Sequence, residues 1–215
     1  MLPTLTRDTI DLAPGTEIIL RQQTWDDYEQ LLEQRRDKAG LRIEFNGRSE
    51  EIRIMSPLPE HAKHSSSIAS SIRSLLKNQE LDWDEYHPLT LKCFKQQGLE
   101  PDFCFYVQNR EAVLGLYRIE LDVSPPPDLA VEIDVTSLTE ITHYKPIGVP
   151  EVWIYRNNSL FIYLFDGSTY QESDRSLLFP DFDVKTLIPE YVDRAWTKGS
   201  SVALREFESY LRDRD

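Results

Sequence analysis

The sequence predicts an α/β (α+β) domain, a mixed central β-sheet flanked by helices. Three observations carry this prediction. Apolar residues recur at helical spacing in well-separated segments, shorter runs between them alternate apolar and polar residues, and Gly, Pro and Asn mark the junctions. At 215 residues, without internal repeats or low-complexity blocks, the chain fits one domain: residues 1–20 read as an N-terminal extension and 21–215 as a single domain.

Taking the elements in order, "TWDDYEQLLEQRRDKAG" offers Thr24 as N-cap with Asp27 three residues on. Tyr28, Leu31 and Leu32 fall at helical spacing, and Gly40 is a stop. "LRIEFNGRSEEIRIMS" alternates through Leu41, Ile43 and Phe45, turns at Asn46-Gly47 over two residues or more, and resumes at Ile52 and Ile54 as a β-hairpin. Pro57 and Pro59 precede a second helix with Ile68, Ile72, Leu75 and Leu76 on one face. Three short strands follow near 82–86, 89–94 and 102–107, with Gly98 in the last connection, and 109–121 fits either a short helix or a loop. A strand at 128–135, a third helix near 138–147 ended by Gly148, and a strand pair around Asn157-Asn158 come next. The tail forms one or two amphipathic helices, the last capped by Ser200 or Ser201.

Composition narrows the classes. Forty per cent hydrophobic residues suffice for a substantial core. The absence of a basic start followed by an apolar run, and of any window of about 18 apolar residues, predicts a cytoplasmic protein with no membrane segment. Cys93 and Cys104 stand alone and read as small buried hydrophobes. A net charge of -13 argues against a broad basic face for nucleic acid, so any such contact falls to local patches, with Lys63 on the second helix and Lys92 and Lys95 beside a strand as candidates.

"PPPDLAVEIDVTS" poses the chemical question. In an extended strand Asp128, Ala130, Glu132 and Asp134 share one face, so two carboxylates emerge together from an apolar run. Buried carboxylates are costly and repel each other, and a hard divalent cation, Mg²⁺ or Mn²⁺, relieves both costs. Asp102, opening the apolar run of "EPDFCFYV", lies 30 residues before Glu132 and can sit on a neighbouring strand. A metal held by Asp102 and Glu132 would suit phosphodiester hydrolysis, polarising a phosphoryl oxygen and acidifying the attacking water.

The ordered set "IEFNGRSEEIRIMSPLPEH", "EPDF", "AVEID", "GVPEVW" and "FPDF" resembles the Uma-type restriction endonuclease family of the PD-(D/E)XK nuclease superfamily, over residues 20–210. The resemblance implies a restriction-endonuclease-like core, a Mg²⁺-dependent DNA endonuclease, and Asp102 and Glu132 as metal ligands. It places Glu44 and His61 beside the site, the latter for proton transfer. The superfamily's lysine two residues after the Glu is replaced by Asp134, which leaves Asp134 as a third ligand or the activity weakened; positions in the next segment hold Leu138 and Glu140. Lys145 is the first candidate for a relocated lysine and Lys92 the second. Two other functions remain open, a catalytically impaired nuclease-fold module that binds nucleic acid or protein, and a small-phosphoester hydrolase. A homodimer would let such a nuclease address both strands of DNA.

Overall fold

In a computed structural model, residues 12–35, 41–56, 58–87, 89–135 and 138–214 are described; the expected stop at Gly40 and the expected punctuation at Pro57 lie outside them. The elements run β1 (Glu17–Arg21), α1 (Trp25–Arg35), β2 (Arg42–Asn46), β3 (Glu51–Met55), α2 (Pro59–Asn78), β4 (Asp84–Tyr86), β5 (Leu91–Cys93), β6 (Gln97–Leu99) and β7 (Phe103–Tyr106). Then follow β8 (Leu129–Asp134), β9 (Glu151–Arg156), β10 (Ser159–Phe165), β11 (Tyr170–Ser173), α3 (Val184–Lys198) and α4 (Ser200–Arg212). They form two sheets. One has the order β1-β3-β2-β6-β5 and is antiparallel; the other, β11-β10-β9-β8-β7-β4, is mixed, because β8 and β9 pair in parallel.

Local chemistry explains the elements. Thr24 and Asp27 form a reciprocal capping box at the start of α1, the Thr24 N–H donating to Asp27 Oδ2 at 2.8 Å and the Asp27 N–H to Thr24 Oγ1 at 3.2 Å. Pro59 opens α2, where its missing N–H costs nothing. The β9–β10 turn uses Asn157 and Asn158 with φ of 50° and 57°, the left-handed pair a two-residue hairpin needs.

Both faces of β8 are covered. Leu129, Val131 and Ile133 pack with Ile68, Ile72, Leu75 and Leu76 of α2 and with Ile188 and Phe207 of α3 and α4, while Ala130 joins Cys104, Tyr144, Val152 and Ile154 on the other side. Covering both faces puts every residue of β8 out of solvent, its acids included. A third cluster seats Trp25, Tyr28 and Leu31 of α1 on Ile43, Phe45, Ile52 and Ile54 of the first sheet.

Several expectations are corrected. The third helix is a 3-10 turn, Ile141–Tyr144, followed by turns to Gly148 (φ 75°). Pro146 cannot donate and its ring opposes the preceding turn, so the helix has no room to grow. The N-cap of α4 is Gly199 at φ 97°, and Ser200 is already helical; one glycine both ends α3 and starts α4, a backbone geometry that serine adopts poorly. Strands β1, β6 and β11, unassigned from sequence, are short edge or inner strands, and β1 pairs with β3 across residue 20, where the extension was expected to end.

Gly98 belongs to β6 rather than to a connection. A Cβ there would collide with the hydroxyl oxygen and ring of Tyr28, which is fully buried and stacked on Phe45 at 5.7 Å. Gly98→Ala should therefore destabilise the protein by about 1–3 kcal/mol, the usual range for overpacking. A chemical-denaturation midpoint equal to wild type would refute this.

Candidate active site

The site lies where the two sheets meet. β8 contributes Glu132, and Asp102 stands one residue before β7, its Oδ2 accepting the Ile133 backbone N–H at 2.8 Å. That bond is available because β7 and β8 pair antiparallel, with Phe103 opposite Val131, which carries Asp102 alongside the middle of β8. From the other sheet, β2 alternates Ile43 and Phe45 into the α1 core and so turns Arg42 and Glu44 to the opposite face. His61 reaches in from the first turn of α2.

One guanidinium nitrogen joins both acids. Arg42 Nη2 is 3.0 Å from Asp102 Oδ1 and 3.4 Å from Glu132 Oε2. His61 Nε2 lies 2.9 Å from Asp102 Oδ1, and the Tyr144 hydroxyl donates to Glu132 Oε1 at 2.5 Å. The cleft walled by Arg42, Glu44, Arg53, Glu132, His143 and Tyr144 encloses about 20 Å³, room for one water molecule or a bare ion.

The acids differ in electrostatics. Burial alone would raise the Asp102 pKa, but Arg42, His61 and the Ile133 N–H outweigh it and hold the group below its ordinary value. Glu132 goes the other way: burial pushes it well up, the neighbouring Asp102 and Glu44 add to this, and Arg42 and Tyr144 compensate only in part. Burial likewise raises Glu44, to about 7, against the pull of Arg42 and Arg53. Arg42 stays charged, since its three carboxyl neighbours outweigh the burial that would lower its pKa.

A raised carboxyl binds more protons folded than unfolded, so it costs stability as pH rises from its ordinary 4.5 through about 7. The variant Glu44→Gln should lose part of that decline, seen as a flatter thermal midpoint between those pH values. A profile parallel to wild type would contradict the assignment.

Burial and mutual repulsion hold Glu132 and Glu44 well above their ordinary pKa, as expected where carboxyls crowd without enough cation beside them, and Asp102 and Glu132 present hard oxygens to a common point. This donor set fits Mg²⁺ or Mn²⁺ bound through two carboxylates, with water and phosphate completing the shell. No group of three His, Cys, Asp or Glu arranged for a metal occurs among the described residues, so the fit is to that open kind of site and not to a protein cage.

The remaining expected residues disperse. Asp134 lines the same cleft, but Oδ2 accepts from Arg156 Nε at 2.9 Å and Nη2 at 2.5 Å, while Oδ1 accepts from Thr139 Oγ1 at 2.7 Å. The Thr139 N–H adds a contact of 3.1 Å to each oxygen. Lys145 is exposed on a groove beside the β2–β3 loop. Lys92 pairs with Glu29 at 2.8 Å, Lys95 lies over Phe94, and Lys63 lies over Trp196, three separate places. Among the described residues no lysine lines the cleft.

Sequence reasoning missed Arg42, Tyr144 and His87, whose Nδ1 is hydrogen-bonded to the Asp102 carbonyl. The one available signal was the alternation that places Arg42 on the same face as Glu44.

Comparison with curated proteins finds no match. Among solved structures, one from Anabaena variabilis ATCC 29413, described as "a putative nuclease belonging to DUF820", is 17% identical. The likeness covers 75% of this chain and 90% of that one, with a TM-score of 0.47. The family Uma2, described as "Putative restriction endonuclease", matches residues 25–191, and the chain therefore belongs to the Uma2 family.

Proposed function

We propose that this protein is a metal-dependent endonuclease that hydrolyses DNA phosphodiester bonds at Asp102 and Glu132. The observation that carries the reading is the convergence of Asp102 Oδ1 and Glu132 Oε2 on one cationic nitrogen, at 3.0 and 3.4 Å, in a chain of the family described as "Putative restriction endonuclease".

A divalent cation held by these two carboxylates supplies Lewis acidity, polarising a phosphoryl oxygen and lowering the pKa of a water. The rest falls to the chain. Asp102 is held below its ordinary pKa by Arg42 and His61, which suits it as a ligand, and Glu132, pushed up by burial, would complete the pair as the acid whose ionised form a cation would favour. The Ile133 N–H and the Tyr144 hydroxyl fix the two carboxyl planes. As the water oxygen bonds to phosphorus, the P–O bond to the leaving oxygen breaks; that oxygen keeps the electron pair and takes a proton from solvent, while the attacking water gives its proton to His61, which passes it to solvent. Glu44 lines the wall of the cleft, and Asp134 holds the segment around Thr139 rather than serving the ion.

The test is cleavage of plasmid DNA with millimolar Mg²⁺ or Mn²⁺. Wild type should nick or linearise the plasmid, and Glu132→Ala should be slower by about 100-fold or more. Equal cutting by the two proteins would sink the assignment. A second reading, a nuclease-fold binding module without chemistry, is favoured by the guanidinium lying between the carboxylates; DNA binding without cleavage in any divalent metal would establish it.

A further inference from the structure

We propose that Arg42 is a catalytic residue, the cation that receives the scissile phosphate, and that it is released for this work when a divalent ion takes its place between Asp102 and Glu132. The proposal rests on the nuclease reading above and goes beyond it by giving the reaction its anion-binding group.

Phosphoryl transfer builds up negative charge on the non-bridging oxygens, and a positioned cation beside them is worth a large rate factor. The basic side chains on the cleft wall among the described residues are Arg42, Arg53 and His143, and burial lowers the pKa of the His143 imidazole, which favours its neutral form. Arg53 is bound to Glu17 at 2.8 Å, and His143 is held by Asn46 at 2.9 Å, so neither is directed at the carboxylates. Arg42 alone of the three touches both acids. Arg42 lines the cleft, and its side chain is 18% exposed although the acids it touches are buried.

The geometry also implies an exchange. Arg42 Nη2 lies beside the oxygens that would bind the metal, so the two cations compete for the same electron pairs. Once an ion holds Asp102 and Glu132, those carboxylates no longer neutralise the arginine, and its planar fork suits the two non-bridging oxygens of a phosphate. One residue thus holds the two acids together before metal arrives and binds the substrate afterwards.

Arg42→Met, close in length but uncharged, separates this role from simple scaffolding because two readouts should move in opposite directions. By calorimetric titration with Mn²⁺, the variant should bind the ion at least about 3-fold more tightly than wild type, since its competitor is gone. Cleavage of plasmid DNA should fall by about 100-fold or more. Arg42→Lys, which keeps a charge without the fork, should fall between wild type and Arg42→Met in both, and it serves if the methionine variant does not fold. Cleavage within about 3-fold of wild type in a folded variant, or Mn²⁺ affinity that falls along with cleavage, would overturn the proposal. Should wild type itself cut nothing, the nuclease reading fails, and with it the catalytic role of Arg42. The Mn²⁺ titration would still show whether Arg42 and the ion compete.

Discussion

Replacing Glu100 with alanine should lower the thermal midpoint by about 6–20 °C, which corresponds to about 3–5 kcal/mol for breaking a buried ion pair in a domain of this size. Glu100 follows β6, is 1% exposed, and is bound at both oxygens by Arg35, each contact 2.5 Å. It also accepts the Ile43 N–H at 3.1 Å and the Thr90 hydroxyl at 2.7 Å, so one side chain joins the end of α1, the start of β2 and the approach to β5. Truncation leaves the Arg35 guanidinium without its counter-charge where its side chain is only 14% exposed, and strands two further donors. Ile43 adjoins Arg42, and Glu100 lies two residues before Asp102, so the loosening should reach the site and weaken Mn²⁺ binding. Scanning calorimetry decides the stability claim, and a midpoint within about 2 °C of wild type would refute it. The double variant Arg35→Met with Glu100→Leu should recover part of the loss, because neither charge is then left buried alone.

How much of this was legible in the sequence depends on the range of the interaction. Period-two alternation located β2, β3, β8, β9 and β10, and the 3.6-residue repeat located α2, because each signal is local and one face of each element is apolar. Short strands such as β6 and β11 have too few residues to show a period, and Gly98 looked like a turn because the packing of Tyr28 on it comes from a distant helix. Within the site, Asp102 and Glu132 were conspicuous as acids in apolar strands, and the motif order placed Glu44 and His61 beside them. Arg42 was not, since an arginine alternating with isoleucine and phenylalanine reads as a solvent-facing strand residue until the second sheet is in place. The same limit applies to Tyr144, which is both core and hydrogen-bond donor; only the donor role needs the third dimension.

Asp134 is where local reading and tertiary structure diverge most, and Asp134→Lys, the substitution that would place a lysine two residues after Glu132, should damage the protein instead of activating it. Asp134 is the register partner of Arg156 in the parallel β8–β9 pair, and the two side chains meet at 2.5 Å. A lysine there would put an ammonium against a guanidinium and give up the Thr139 contacts as well, since it accepts no hydrogen bonds. The expected cost is about 3 kcal/mol, the low end of the range for breaking a buried pair, because the Arg156 side chain is 30% exposed. Asp134→Asn, which keeps the shape and the acceptor oxygen, should cost less than half of that. A lysine variant as stable as wild type in urea, or one that cuts DNA faster, would show that the position is catalytic and that the contacts to Arg156 and Thr139 are incidental. The opposite result would place the positive charge of the site in the other sheet, with Arg42, and leave the second acid of "VEID" as the clamp that holds β8, β9 and Thr139 around it.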